Sequence, residues 1–142
     1  MRKLVVTLIA ATTVTFSAHS QEPLPPPTDA ERAGWTLGDM RTLATAIEAY
    51  AVDHNEYPKA ASLDQVVPLI QPVYIRRAPV RDAWGNPFVY ASSADGKTFR
   101  LVSPGSDHTT DPSTWDIPGE LSSYAADAVL DSGQLRRGWM YR

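Results

Sequence analysis

The sequence predicts an α+β domain in which one long N-terminal helix packs on a small antiparallel sheet. Apolar residues recur at helical spacing between Leu37 and Tyr50, and two short apolar segments, 88–91 and 98–102, flank an Asp-Gly turn typical of a β-hairpin. The 142 residues, of which 43% are hydrophobic and 20% charged, fit one globular domain.

The long helix is predicted from apolar residues that return every three or four positions. They are Leu37, Met40, Leu43, Ala44, Ile47, Tyr50 and Ala51. Polar residues on the other face indicate that the helix lies against a sheet and faces water on its far side. Asp29 or Thr36 is expected to cap its start.

A short second helix is predicted to begin at Ser62. Ser62 and Gln65 have the spacing of a capping box, apolar residues follow, and Pro72 is expected to end the helix. Pro68 limits the regularity of this helix, because proline removes a backbone donor.

The run from Asp82 to Tyr90 predicts a structural turn that leads into the first strand. The turn motif comprises Asp82, Trp84, Gly85, Asn86 and Pro87. We expect Asp82 to cap nearby N–H groups, and Pro87 to hold Asn86 in extended geometry. The candidate core residues of this region and the hairpin are Trp84, Phe88, Tyr90, Phe99 and Leu101.

The ends of the chain are predicted to differ from its centre. Residues 1–20 read as a cleaved signal peptide, with two basic residues, a short apolar run and small residues before Gln21. A Pro-rich linker at 21–35 then precedes a domain at 36–117 and an extension at 118–142. In the extension we expect a short amphipathic helix through Leu121, Tyr124 and Val129, followed by aromatic residues that either pack back or meet a partner.

This organisation predicts a periplasmic or secreted protein without a transmembrane helix after signal removal, because the apolar run is shorter than the 20 or so residues a span needs. The formal net charge is −3, and loss of Arg2 and Lys3 would make the mature chain more acidic. Nucleic acid is therefore not an expected partner. The chain has no cysteine, which excludes a disulfide framework.

The segment from Ser103 to Ile117 is rich in oxygen ligands. It contains Asp107, Asp111 and Asp116, and no Lys or Arg occurs between Pro104 and Leu135. Calcium takes six to eight oxygen ligands in flexible loops, so a structural calcium site is one interpretation. A solvated acidic loop without an ion is the other.

Catalytic interpretations of this segment lack the ligands or the side-chain geometry that they require. A zinc or nickel site at Asp107, His108 and Asp111 has too few ligands, and no helical histidine pair or cysteine adds to it. Ser106 and His108 lie two positions apart on a loop, which does not by itself place a hydroxyl against an imidazole. We therefore predict that the protein is not an enzyme.

Three arginines form a candidate interaction surface. Arg76, Arg77 and Arg81 precede the turn motif, and they could meet the aspartates Asp107 and Asp111 of a second copy in a head-to-tail contact. The alternative is that these arginines are merely solvated.

Four pieces of the chain occur in the order of a known family: the helix at 39–50, Asp53–Pro58, Asp82–Pro87 and Ser103–Asp107. Over about 39–117 the sequence resembles the periplasmic domain of the major pseudopilin of type II secretion. The resemblance implies a structural calcium ion in the loop after the last strand, with Asp107 and Asp116 as ligands and Ser103 at the start of the loop. Asp111 would replace a family carboxylate, because Thr114 stands at that position.

The resemblance implies a structural component or accessory of a secretion pseudopilus, which contacts other pseudopilins or secretion-system proteins. The sequence departs from the family near its start, where the prepilin leader and the long apolar fibre helix are not evident. This departure favours an alternative of another class, a soluble periplasmic binding or adaptor module derived from a pseudopilin domain.

Overall fold

One long helix crosses a five-stranded sheet in the computed structural model, which describes residues 23–140. The elements, in chain order, are α1 Asp29–His54, α2 Leu63–Ile70, β1 Val89–Ser92, β2 Phe99–Ser103, a 3-10 turn Pro112–Thr114, β3 Gly119–Leu121, β4 Ala128–Asp131 and β5 Gln134–Trp139. The predicted signal peptide lies outside the described residues. Within 23–140, none of the helices combines the length and the apolar character that a membrane span requires.

Helix α1 has 26 residues and begins with a capping box. The Thr28 hydroxyl accepts from the Glu31 amide at 3.3 Å, and the Glu31 carboxylate accepts from the Thr28 amide at 2.7 Å. The predicted cap residues are wrong because the helix starts earlier than its apolar stripe: Asp29 is its first residue, and Thr36 is buried in its interior. The predicted stripe itself is confirmed, with Met40 and its apolar neighbours in the core.

Helix α2 lies where the sequence predicts it. Ser62 is its N-cap residue, but its side chain makes no capping hydrogen bond, so the predicted capping box is wrong. Gln65 turns instead to the Ala61 amide, which donates to its side-chain oxygen at 3.0 Å. The helix ends at Ile70, shortly before Pro72.

The sheet has the strand order β1-β2-β4-β5-β3. The predicted β1–β2 hairpin is confirmed, with Tyr90 opposite Leu101, and β4 pairs antiparallel with both β2 and β5. Strand β3 pairs parallel with β5, so the sheet is mixed. The reason is topological: the chain reverses direction before and after β4, and β5 then inserts between β4 and β3.

The C-terminal segment forms strands, and the helix predicted there is wrong. Strands β4 and β5 are joined by Ser132 and Gly133, whose φ angles of 44° and 82° suit a two-residue reversal. Ala128, Leu130 and Trp139 join the hydrophobic core. Trp139 thus packs back onto the domain, while Met140 is 43% exposed.

Both faces of the sheet are covered in part. Helix α1 packs on the face that carries Tyr90, Leu101 and Leu130. On the other face, Val102 and Val129 are fully buried although they lie outside the cluster beneath the helix. The segment after β2 therefore shields this second face. Phe88, Tyr90, Phe99 and Leu101 are buried as predicted, whereas Trp84 is only partly buried and packs edge-on against Trp139.

Candidate functional site

The turn at residues 82–87 is built around one buried carboxylate. Asp82 is 5% exposed, and its Oδ1 accepts from the amides of Trp84 at 3.0 Å and Asn86 at 2.8 Å. Its Oδ2 accepts from Asn86 Nδ2 at 2.9 Å and from the Ser103 hydroxyl at 2.7 Å. Four donors thus replace the water that the carboxylate loses on burial.

Helix α1 is docked onto this turn by three hydrogen bonds. The Ala83 amide donates to the Thr36 hydroxyl at 3.1 Å, and Arg32 Nη1 donates to the Ala83 carbonyl at 2.7 Å. Trp84 Nε1 donates to Asp29 Oδ1 at 2.8 Å. These contacts explain why a threonine is buried in the middle of the helix.

Asn86 links the turn to the start of the acidic loop, which comprises residues 104–117. Its Nδ2 donates to the Gly105 carbonyl at 2.8 Å, and its Oδ1 contacts Nδ1 of His108. Gly105 has a φ of 82°, and a Cβ there would lie 2.4 Å from the Tyr124 carbonyl oxygen. Only glycine fits this position without a backbone shift.

The structure does not bring the four predicted calcium ligands together. Ser103 is fully buried and donates to Asp82, whereas Asp116 forms an ion pair with Arg100 at 2.8 Å. Asp107 accepts from the Thr109 amide, and Asp111 caps the 3-10 turn. Across residues 23–140, no cluster of three or more His, Cys, Asp or Glu side chains has the arrangement of a metal site.

Asp131 on β4 organises an ion-pair network on the outer face of the sheet. Arg100 Nε and Nη2 lie 2.6 and 2.9 Å from the two oxygens of Asp131, and Arg136 Nε lies 2.5 Å from Oδ2. Burial favours a higher pKa for Asp131, but hydrogen bonds and charge from Arg100, then from Arg136, outweigh burial and lower the pKa. The bidentate geometry with Arg100 is the strong form of this pairing.

Arginine side chains on the same side of the sheet also donate to backbone carbonyls at the end of the acidic loop. Arg136 Nη1 donates to the Asp116 carbonyl at 3.4 Å, and Arg137 Nη1 donates to the Thr114 carbonyl at 2.9 Å. Together with the Arg100–Asp116 pair, three arginines contact residues 112–117. We call Arg100, Arg136 and Arg137 the arginine clamp and residues 112–117 the closing arm.

Asp127 is a buried carboxylate that sequence reasoning missed. It is 3% exposed, and its Oδ2 accepts from the Asp111 amide at 2.7 Å and from Trp115 Nε1 at 2.5 Å. Burial raises the pKa of Asp127, and the nearby charges of Asp107 and Asp111 raise it further. Its position beside the apolar run Ala128–Leu130 was the available sign that it would be buried.

The three predicted interaction arginines occupy different settings. Arg81 Nη1 donates to the Gly85 carbonyl at 2.8 Å and so belongs to the 82–87 turn. Arg76 and Arg77 are exposed, and within residues 23–140 no ion pair involves either of them. Val73, which precedes them in the same loop, is 77% exposed. This loop therefore presents positive charge beside an apolar side chain.

Comparison with known proteins identifies the family. The family model for type II secretion system protein G matches residues 27–117, which include α1, the 82–87 turn and the acidic loop. The chain is also 31% identical over 97 residues to the type II secretion system core protein G of Pseudomonas aeruginosa, an overlap of 56% of this chain and 68% of that protein. The resemblance noted in the sequence is thereby confirmed. Because the family match spans more than half of its length, the chain belongs to the protein G family and is a pseudopilin-type component of type II secretion.

Proposed function

We propose that this protein is a structural component or accessory of a type II secretion pseudopilus that acts through contacts with other pseudopilins or further copies of itself. Family membership is the observation that carries the proposal. The architecture agrees with a structural role, because the buried polar residues at the 82–87 turn tie elements together. Catalysis is not part of the proposal.

The proposed contact is head to tail between two copies. Arg76 and Arg77 are exposed on one loop, and the Asp107 and Asp111 side chains lie on the exposed acidic loop. Opposite charges on two surfaces steer association and fix its register. Arg81 supports the contact indirectly, since its hydrogen bond to the Gly85 carbonyl holds the 82–87 turn beside the loop that carries Arg76 and Arg77.

Cysteine cross-linking tests this contact directly, because the chain contains no cysteine. We expect Arg77→Cys on one copy to form a disulfide with Asp107→Cys on another under mild oxidation in the assembled secretion system. Arg77→Glu should weaken association, and adding Asp107→Lys should restore it. Arg41→Glu, an exposed charge reversal on α1, is the matched control. Unchanged association in Arg77→Glu would refute the contact.

The place of the protein in secretion is tested by deletion and complementation in its own host. We expect deletion to reduce export of type II substrates, and the protein to co-purify with secretion components from the cell envelope. Intact secretion together with a free protein would favour the binding or adaptor module instead. N-terminal sequencing of the mature protein tests the proposed cleavage before Gln21.

Calcium binding stays a prediction, and of the proposed ligands only Asp107 and Asp111 have side chains whose hydrogen bonds are all local. Their charges already raise the pKa of buried Asp127, so a cation beside them would relieve repulsion. A ligand that binds only the folded state at a hundredfold over its Kd stabilises it by about 2.7 kcal/mol. Thermal unfolding with calcium and with chelator, for the wild type, Asp107→Ala and Asp111→Ala, decides whether such a site exists.

A further inference from the structure

We propose that the arginine clamp fixes the closing arm on the sheet, so that this arm keeps its place without a divalent cation and Asp116 serves as an internal ion-pair partner. The proposal departs from the ligand set that the sequence predicts. The proposal for the closing arm concerns Asp116 and the three arginines, whereas the calcium prediction concerns Asp107 and Asp111. Either one can fail without the other.

The first observation is that Asp116 already has a cationic partner. Arg100 Nη2 lies 2.8 Å from Asp116 Oδ1, and the same guanidinium is held in place by a bidentate pair with Asp131. Because the Asp116 side chain is 81% exposed, this pair alone contributes little to stability. Its importance is positional: one of the two Asp116 carboxylate oxygens is directed at a guanidinium that Asp131 holds in place.

The second observation is that the clamp also contacts backbone oxygens of the arm. Arg137 Nη1 donates to the Thr114 carbonyl and Arg136 Nη1 to the Asp116 carbonyl. Backbone carbonyls and carboxylates are the oxygen types that calcium uses in loops. In this chain, arginine donors occupy one carboxylate oxygen and two carbonyl oxygens of the closing arm.

The third observation concerns the strands that supply the clamp. Arg100 lies on β2, and Arg136 and Arg137 lie on β5, with Asp131 on β4 between them. Strand pairing sets Arg100 opposite Asp131 and Arg137 opposite Val129, and Arg136 lies at the irregularity in the β4–β5 pairing. The arm is therefore attached to two strands, β2 and β5, that each pair with β4.

Amide hydrogen exchange of the full chain tests the proposal, because the amides of Thr114, Trp115 and Ile117 donate to carbonyls within the loop. In chelator we expect these amides to stay protected, and we expect Asp116→Asn to leave any effect of calcium on their exchange unchanged. Asp116→Asn and Arg100→Gln should each speed their exchange severalfold in either condition. The double variant should add little to Arg100→Gln alone, because that substitution already removes the pair with Asp116.

Asp107→Asn is the matched control in the same loop, and it should leave arm exchange in chelator unchanged. Circular dichroism of each variant establishes that the sheet persists. The proposal is overturned if calcium slows arm exchange in the wild type and Asp116→Asn abolishes that effect. It is also overturned if Arg100→Gln leaves arm exchange unaltered.

Discussion

The Asp82 carboxylate accepts a hydrogen bond of 2.7 Å from the Ser103 hydroxyl, and both residues are buried. This hydrogen bond joins the 82–87 turn to the end of β2, next to the bond that Asn86 makes with the Gly105 carbonyl at the start of the acidic loop. Ser103 thus has a structural task in this chain that the sequence did not reveal. Because of this hydrogen bond, we expect a conservative substitution at Asp82 to reduce the stability of the fold strongly.

Asp82→Asn should destabilise the protein by about 3 kcal/mol. The amide group that replaces Oδ2 would face two donors, Asn86 Nδ2 and the Ser103 hydroxyl, and buried donors would be left without an acceptor. Urea denaturation measures the loss. Asp64→Asn, an exposed aspartate in α2, should change stability by less than about 0.5 kcal/mol. Equal effects of the two substitutions would contradict the assigned role of Asp82.

Gly105→Ala should cost more than Gly85→Ala. Both glycines have positive φ, 82° and 92°, so each substitution carries a conformational penalty of about 1–2 kcal/mol. At Gly105 the new Cβ would also meet the Tyr124 carbonyl oxygen at 2.4 Å, whereas at Gly85 nothing lies within 4 Å. Paired thermal unfolding of the two variants isolates the clash. Identical midpoints would show that the acidic loop adjusts freely at its start.

Asp131 should contribute to loss of stability in acid. Its folded-state pKa lies below the ordinary value of 3.8, so its ion pairs stabilise the protein above that pH and are lost as pH falls through the lowered pKa. Asp131→Asn should be less stable than the wild type at pH 7, and the difference should shrink towards pH 3. Urea midpoints across this range measure it. A difference that stays constant with pH would count against the network.

Asp127 should change the pH dependence of stability in the opposite direction to Asp131. Burial raises its folded-state pKa, so its contribution is most favourable below pH 3.8 and is lost as pH rises through the raised pKa. Asp127→Asn can still offer one oxygen to the Asp111 amide and to Trp115 Nε1, which both bond Oδ2. In chelator the variant should lose less stability than the wild type between pH 4 and 7. A steeper loss of stability with rising pH in Asp127→Asn than in the wild type would contradict the raised pKa of Asp127.

Local patterns predicted the parts of the fold that depend on near neighbours. The apolar stripe of α1 and the Asp-Gly hairpin between β1 and β2 were both evident, because helical spacing and tight turns act over a few residues. The C-terminal strands were missed, since Leu121, Tyr124, Ala128 and Val129 also fall at helical intervals. The dipeptide Ser132-Gly133 between two apolar segments was the overlooked hairpin signal.

The ion-pair network depends on contacts across the sheet, which sequence reasoning could not supply. Arg100 and Asp131 are 31 positions apart, and they meet only because β2 pairs with β4 in a register that sets them opposite each other. Without that register, the acidic segment had no visible partner and a cation was the natural inference. The sequence therefore offered a cation as the partner of Asp116, and it gave no sign of the Arg100 side chain that lies 2.8 Å away in the fold.

Strand β4 pairs with β2, so the order of strands in space differs from the order in which they are made. A chain that leaves a ribosome or a translocation pore N-terminus first exposes one edge of β2, with Leu101 and Val102, until residues 128–139 have followed. Completion of the sheet must therefore wait until β4 and β5 have been made. During that interval the half-built sheet is open to pairing with other chains, which makes a holding chaperone most useful between the synthesis of β2 and that of β4.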